Sequence, residues 1–264
     1  MASPAAAVTT KSVFMNFSEV EGVRAKSAVP YGLPIVDNCM TCKLRGSNFF
    51  CALSQPSLKG LDQLKHTSSY PEGAMVFMEG QSPRGVYIIC QGRAKLMTTS
   101  SDGKTLILKI AEPGDVLGLH SVVSGKPHEF TVETLQPCQL AFIPQDDFLR
   151  FLKQNGEACL QAAQHISRDC QSAYESIRSI GLSHSVTEKL ARLLVQWASD
   201  GRVANGMIRI KLALTHEEIA QLIGSTRETV TRTLSELKKK AIAELTGSTL
   251  LIRNPGALQA LAGN

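Results

Sequence analysis

Between residues 70 and 145 apolar residues gather in short runs, at 74–78, 85–90, 94–98, 105–110, 130–135 and 139–143, rich in Val, Ile, Leu, Tyr and Phe. Turns carrying glycine divide them: Glu79-Gly80, Gln91-Gly92, Asp102-Gly103, Pro113-Gly114 and Ser124-Gly125. Strands of this length at roughly ten-residue spacing predict an antiparallel sandwich or barrel. From 146 to 180 the pattern becomes helical. Cys159, Ala163, Ile166, Cys170, Ala173, Ile177 and Ile180 recur at alternating steps of four and three, a heptad seam. Such a seam packs either against its own domain or against a second copy, and the small Ala163 and Ala173 favour close approach of two helices.

After residue 184 the chain reads as short capped helices. Ser185-x-x-Glu188, Thr215-x-x-Glu218 and Ser225-x-x-Glu228 each precede an amphipathic run, the pattern of a capping box. Only Gly224-Ser225-Thr226 separates the second helix from the third, as in a helix-turn-helix. A hairpin over 244–253 and an upstream strand over 207–212 would complete a winged helix-turn-helix. The third helix exposes Arg227, Glu228, Thr231 and Arg232, while Val230 and Leu234 face inward. Arginine can fork onto guanine O6 and N7, and glutamate can accept from cytosine N4. Lys238, Lys239 and Lys240 suit phosphate contacts or the helix C-terminal dipole.

Charge supports this division. The 264 residues carry a net charge of +5. Lys and Arg outnumber Asp and Glu by 11 to 7 after residue 184, against 17 to 16 before it. An anionic partner for the C-terminal part follows. An apolar content of 43% excludes a disordered chain. No apolar run reaches the roughly 18 residues of a membrane span. Residues 1–26 lack the apolar core of a signal peptide, so a cytoplasmic protein with reduced cysteines is expected. His66, His120, His128, His165, His184 and His216 form no H-x-H or H-E-x-x-H pair. No nucleophile elbow, phosphate loop or paired-carboxylate signature is present, so catalysis is not expected.

Seven cysteines raise a metal or redox question. Cys39, Cys42 and Cys51 stand at C-x2-C-x8-C, a spacing that lets thiolates converge on one centre. Cys90 and Cys138 read first as small buried hydrophobes, and Cys159 and Cys170 as packing residues of the seam.

The segment LTHEEIAQLIGSTRETVTR, 214–232, closely resembles the helix-turn-helix of the CRP/FNR superfamily of bacterial transcription regulators. The glycine-punctuated strands resemble its N-terminal β-roll, and the seam helix its dimerisation helix. The resemblance implies an α+β chain: an arm over 1–35, a cysteine segment and cyclic-nucleotide-binding-type β-roll over 36–145, a dimerisation helix over 146–184, and a winged helix-turn-helix over 185–264. It implies a homodimer on inverted DNA repeats, with RNA polymerase as a further partner. The DNA-facing set is Ser225, Thr226, Arg227, Glu228, Thr231, Arg232 and Lys239. Arg227 favours a TGTGA-like half-site over a TTGAT-like one.

In the cyclic-AMP branch a Gly-Glu and an Arg-Ser pair hold ribose and phosphate. Here Leu119 replaces the glutamate, and His128-Glu129 stands where Arg-Ser is expected, which argues against a cyclic nucleotide. The cysteine arm resembles that of the oxygen-sensing branch, where three such cysteines and one from the β-roll hold a [4Fe–4S] cluster. The last of those precedes a residue-Ile-Pro stretch, and in Ala141-Phe142-Ile143-Pro144 that place is alanine. The fourth ligand is thus open between Cys138, Cys90, a carboxylate and solvent. Zinc, a reversible disulfide or a β-roll ligand are the alternatives.

Overall fold

In the computed structural model the described residues are 30–182, 185–199, 201–204, 206–212 and 214–263. The expected arm therefore lies outside them up to residue 29, as does the side chain of Ile180.

Two four-stranded antiparallel sheets form the N-terminal half. They comprise β1 (His66–Tyr70), β2 (Met75–Phe77), β3 (Gly85–Gln91), β4 (Ala94–Thr99), β5 (Thr105–Ala111), β6 (Val116–Leu117), β7 (Thr131–Thr134) and β8 (Cys138–Pro144). The strand orders are β1-β8-β3-β6 and β2-β7-β4-β5. Inner strands β3 and β8 are covered on both faces. Val86, Ile88, Ala141 and Ile143 face the helices, whereas Ile89, Cys138 and Leu140 face the interior between the sheets. This is the period of two expected of a strand, with both sides buried.

Helices α1 (Gln55–Leu64), α2 (Leu119–Ser124), α3 (Gln145–Gln154) and α4 (Gly156–Leu182) surround the first sheet. The single helix expected over 146–180 is thus two. Asn155 is extended (φ −132°, ψ 96°) and its side chain accepts the Ala158 N–H at 3.1 Å. The Asn155-Gly156 pair stops one helix and caps the next. On α4, Ala158, Ala162 and His165 are buried against the chain's own β-roll. The seam occupies a neighbouring face. Cys159, Ala163, Cys170, Ala173 and Ile177 are exposed, Ile166 is half-buried, and Leu160 and Tyr174 widen the exposed stripe.

The C-terminal half contains α5 (Val186–Ala198), β9 (Arg202–Ala204), β10 (Met207–Lys211), α6 (His216–Ile223), α7 (Arg227–Lys239), β11 (Ala243–Thr246), β12 (Thr249–Ile252) and α8 (Pro255–Leu261). Its sheet runs β11-β12-β10-β9, so the hairpin and upstream strand pair as expected. One apolar core joins Leu190, Leu194, Ile219, Val230, Leu234 and Ile252. The two halves meet where α6 packs on β5. There Lys95 on β4 pairs with Glu133 at 3.1 Å and with Glu218 on α6 at 3.3 Å.

Candidate DNA interface and cysteine pocket

The turn between α6 and α7 depends on Gly224, which caps α6 at φ 63°. That left-handed conformation strains any residue bearing a Cβ. Thr215 and Glu218 form a complete capping box at the start of α6. The Ser185 side chain accepts the Glu188 N–H. The third expected box is different. Thr226, not Ser225, caps α7, and its side chain accepts the Thr229 N–H. Ser225 instead gives its own N–H to the Ala220 carbonyl at 2.9 Å. The helix therefore starts one residue later than its sequence pattern suggests. Glu228 is released from capping, which removes the competition between that role and base contact.

Arg227, Glu228, Thr231 and Arg232 lie exposed on the first turns of α7, above buried Val230, Thr233, Leu234 and Leu237. Arg227 and Arg232 have no side-chain partner among the described residues. Thr231 is engaged: its hydroxyl donates to the Arg227 carbonyl at 2.9 Å and lies 2.8 Å from His216 Nδ1. At the far end Lys238 approaches Glu244 at 3.6 Å, while Lys239 is exposed without an ion pair among the described residues.

The N-terminal cysteines gather beneath the β-roll. Cys39, Cys42, Cys51 and Cys90 together line one cavity of about 30 Å³, with Lys65, Ile88 and Ala141 among the other walls. No Asp, Glu or His lines it. Among the described residues, no three His, Cys, Asp or Glu side chains converge closely enough to grip a single metal ion. The thiols surround a void rather than a point.

Lys65, its side chain 5% exposed, bonds Asp62 at 2.6 Å and donates to Cys39 Sγ at 3.0 Å. Asp62 also accepts the Cys39 N–H at 3.0 Å. Burial raises the Cys39 thiol, partly offset by Lys65. Burial, with the nearby Cys39 and Cys42 thiols, pushes Cys51 up to about 11, and burial pushes Cys90 up to about 12.

Cys138 is not part of this group. Its thiol donates to the carbonyls of Arg93 and Gln136, both at 3.2 Å, in the core between the sheets. Strand parity turns it away from the pocket, and the suggestion that it supplies a fourth ligand is corrected on that ground. Cys90, read first from the sequence as a small buried hydrophobe and kept only as one of several candidate fourth ligands, is the one that lines the pocket. An apolar strand buried on both faces does not reveal which face meets the arm.

Residues 67–155 match the family described as cyclic nucleotide-binding domain, and residues 188–261 match the Crp-like helix-turn-helix domain. The chain is 28% identical over 229 residues to the nitrogen fixation regulation protein FixK of Bradyrhizobium diazoefficiens, covering 85% of this chain and 93% of that protein. It is 26% identical over 210 residues to the CRP-like cAMP-activated global transcriptional regulator of Mycobacterium tuberculosis, covering 79% and 93%. The fold is shared with a CooA mutant from Carboxydothermus hydrogenoformans, at TM-score 0.69, 21% identity and coverage of 82% and 96%. The chain belongs to the CRP/FNR superfamily. Like its relatives it is a DNA-binding transcription regulator. No helix among the described residues is long and apolar enough to cross a membrane.

His128-Glu129, expected from the resemblance to stand at the cyclic-nucleotide Arg-Ser position, lies on the loop between α2 and β7. His128, 5% exposed, stacks on Phe77 with ring centroids 3.8 Å apart, and its Nδ1 lies 3.0 Å from the Ser121 hydroxyl. Burial lowers the His128 pKa and keeps the ring neutral. A neutral ring packed on an aromatic offers no fork of donors to a phosphate.

Next to it lies a charge cluster that sequence reasoning missed. Asp169 on α4 accepts from Lys109 on β5 at 2.9 Å and approaches His120 Nε2 at 3.7 Å. His165 Nδ1 is 3.1 Å from Asp169, outside hydrogen-bonding geometry. The Val116 N–H donates to His165 Nε2 at 3.1 Å, so Nδ1 is the nitrogen that carries the proton. His165 and Asp169 stand four residues apart on α4, but Lys109 comes from β5 and His120 from α2, and no spacing in the sequence joins those two to the pair.

Proposed function

We propose that this regulator binds inverted DNA repeats as a homodimer through α7, and that an oxygen-sensitive iron–sulfur cluster on the N-terminal cysteines controls it. The observation that carries the DNA reading is the exposed Arg227, Glu228 and Arg232 face at the start of α7, unpartnered among the described residues. Polar groups there are what major-groove reading by a second helix requires. The exposed seam of α4 supports the dimer. Two recognition helices related by a two-fold axis read half-sites about one helical turn apart, and RNA polymerase is the further partner that the family suggests.

The donor set supports the cluster. Four sulfur ligands and no carboxylate or imidazole line the cavity, a soft set suited to iron–sulfur or zinc. The same donor set would serve a single zinc, each sulfur about 2.3 Å from it; the likeness of the cysteine arm to that of the oxygen-sensing branch favours the cluster. When bound, a cluster supplies a centre that oxygen destroys. The chain's own part is to present the thiols, to screen them with Phe50, Leu58 and Leu61, and to place the Lys65 ammonium against Cys39.

Fluorescence anisotropy with a TGTGA-type inverted repeat tests both claims. Anaerobically purified protein should bind it selectively, and exposure to air should release it. Equal affinity for scrambled DNA sinks the DNA reading; identical binding before and after air sinks the sensor. Arg232→Ala should weaken the selective complex by about 1–3 kcal/mol per half-site and relax discrimination at one base pair in each. Lys239→Ala should weaken all sequences evenly and reduce the log–log salt slope by about 0.9 per protomer. A Lys239→Ala effect confined to one sequence would contradict its phosphate role.

A further inference from the structure

Building on the iron–sulfur reading, we propose that Cys90 of β3 is the fourth ligand, so that Cys39, Cys42, Cys51 and Cys90 hold one [4Fe–4S] cluster. The strand register makes the argument. Ile88 pairs with Ala141 on β8, and an irregularity between Ile89 and Gln91 accommodates Cys90. Ile88 and Ala141 both face the helices and the arm. Cys90, two residues beyond Ile88, lies on that same face and packs against the same cluster. Ala141 lacks a sulfur where the oxygen-sensing branch carries one, and the neighbouring strand supplies it.

The other candidates fail on position. Cys138 faces the opposite side of its strand, its thiol bonded to two carbonyls. Asp62, the nearest carboxylate in the bonding network, is committed to Lys65 and to the Cys39 N–H. Four cysteines are thus the whole anionic donor set of the cavity. Lys65, almost fully buried and paired with Asp62, also places an N–H donor directly against one sulfur, as a ligating thiolate would use.

The test is anaerobic purification of the full chain, with iron and sulfide analysis, visible absorbance and electron paramagnetic resonance. Wild-type protein should hold about four iron and four sulfide per chain with absorbance near roughly 400 nm. Cys90→Ser should lose iron or show a three-iron signal, while Cys138→Ser should match wild type. Ala141→Cys placed in Cys90→Ala should restore iron content and spectrum. That rescue separates ligation from a folding defect, because it returns a thiol to the same face from the adjacent strand. Wild-type protein without iron overturns the iron–sulfur reading itself. A full four-iron cluster in Cys90→Ser, or its loss in Cys138→Ser alone, overturns the assignment of Cys90 while leaving that reading intact.

Discussion

Replacing Ile177 with glutamate should leave each protomer folded, dissociate the dimer and lower affinity for a full inverted repeat by about 10²–10⁴-fold. That range is the gain expected when two binding modules are joined. Ile177 is 66% exposed in the chain, and glutamate is a good helix former, so the single-chain fold has little to lose. In a parallel pair the two Ile177 side chains would face each other across the seam. Two carboxylates there repel and lose their hydration. Affinity for an isolated half-site should not change, because α7 is a separate element with its own core. Sedimentation velocity and anisotropy on full and half sites check this. A dimeric Ile177→Glu protein with undiminished full-site binding would show that the exposed seam is not the interface.

The seam also shows what the sequence makes legible and where it stops. Heptad spacing identified a stripe on α4 but left two readings, self-packing or dimer. In the single chain most of the stripe is exposed, and of its described residues only Ile166 packs against the chain's own core. Ala158, Ala162 and His165 serve the chain's own domain, and the predicted stripe lies beside them. The main strands were legible because glycine turns punctuate buried runs. β1 was not, because His-Thr-Ser-Ser-Tyr is a polar edge strand, and neither was the two-residue β6. The break at Asn155 is invisible to hydrophobic periodicity, which continues across it. Ser225-x-x-Glu228 satisfied a capping pattern, yet Thr226 one residue later took the position. The cysteine pocket depends on pairing. C-x2-C-x8-C announces itself locally, whereas Cys90 joins it only through the register of β3 with β8.

Both ends of the chain thus place their chemistry on a rigid scaffold, and α4 stands between them. It packs on the β-roll through one face and offers the seam through the next. On the proposed function, the contacts between the roll and α4 are where a change near the cysteines would alter dimer geometry. Lys95 provides a second link, from β4 to the same Glu218 that caps α6.

Asp169→Ala should destabilise the protein by about 2–4 kcal/mol in urea unfolding. Breaking a fully buried ion pair from one side costs about 3–5 kcal/mol, and the lower figure allows for Asp169 being 25% and Lys109 28% exposed. The loss leaves the Lys109 ammonium with Asp115 at 3.4 Å and removes the carboxylate facing His165, whose side chain is only 1% exposed. The pH dependence distinguishes the partners. Asp169 is buried, which alone would raise its pKa, but His120, His165 and Lys109 hold it far below the usual carboxylate range. Its stabilisation is present above the unfolded value of about 3.9 and is lost as pH falls below it. His120 is raised, chiefly by Asp169, with Glu129 adding to the shift and burial and Lys109 opposing it. Its stabilisation is complete below about 6.5 and is lost as pH rises through the folded value. Buried His128 has a lowered pKa and acts with the opposite sign, so the wild-type profile alone is uninformative. Subtracting the His120→Gln profile isolates the network. The difference should favour wild type at pH 5.5 and shrink by pH 8, and Asp169→Asn should abolish it. A difference that grows with pH would show that His120 is not held charged by Asp169.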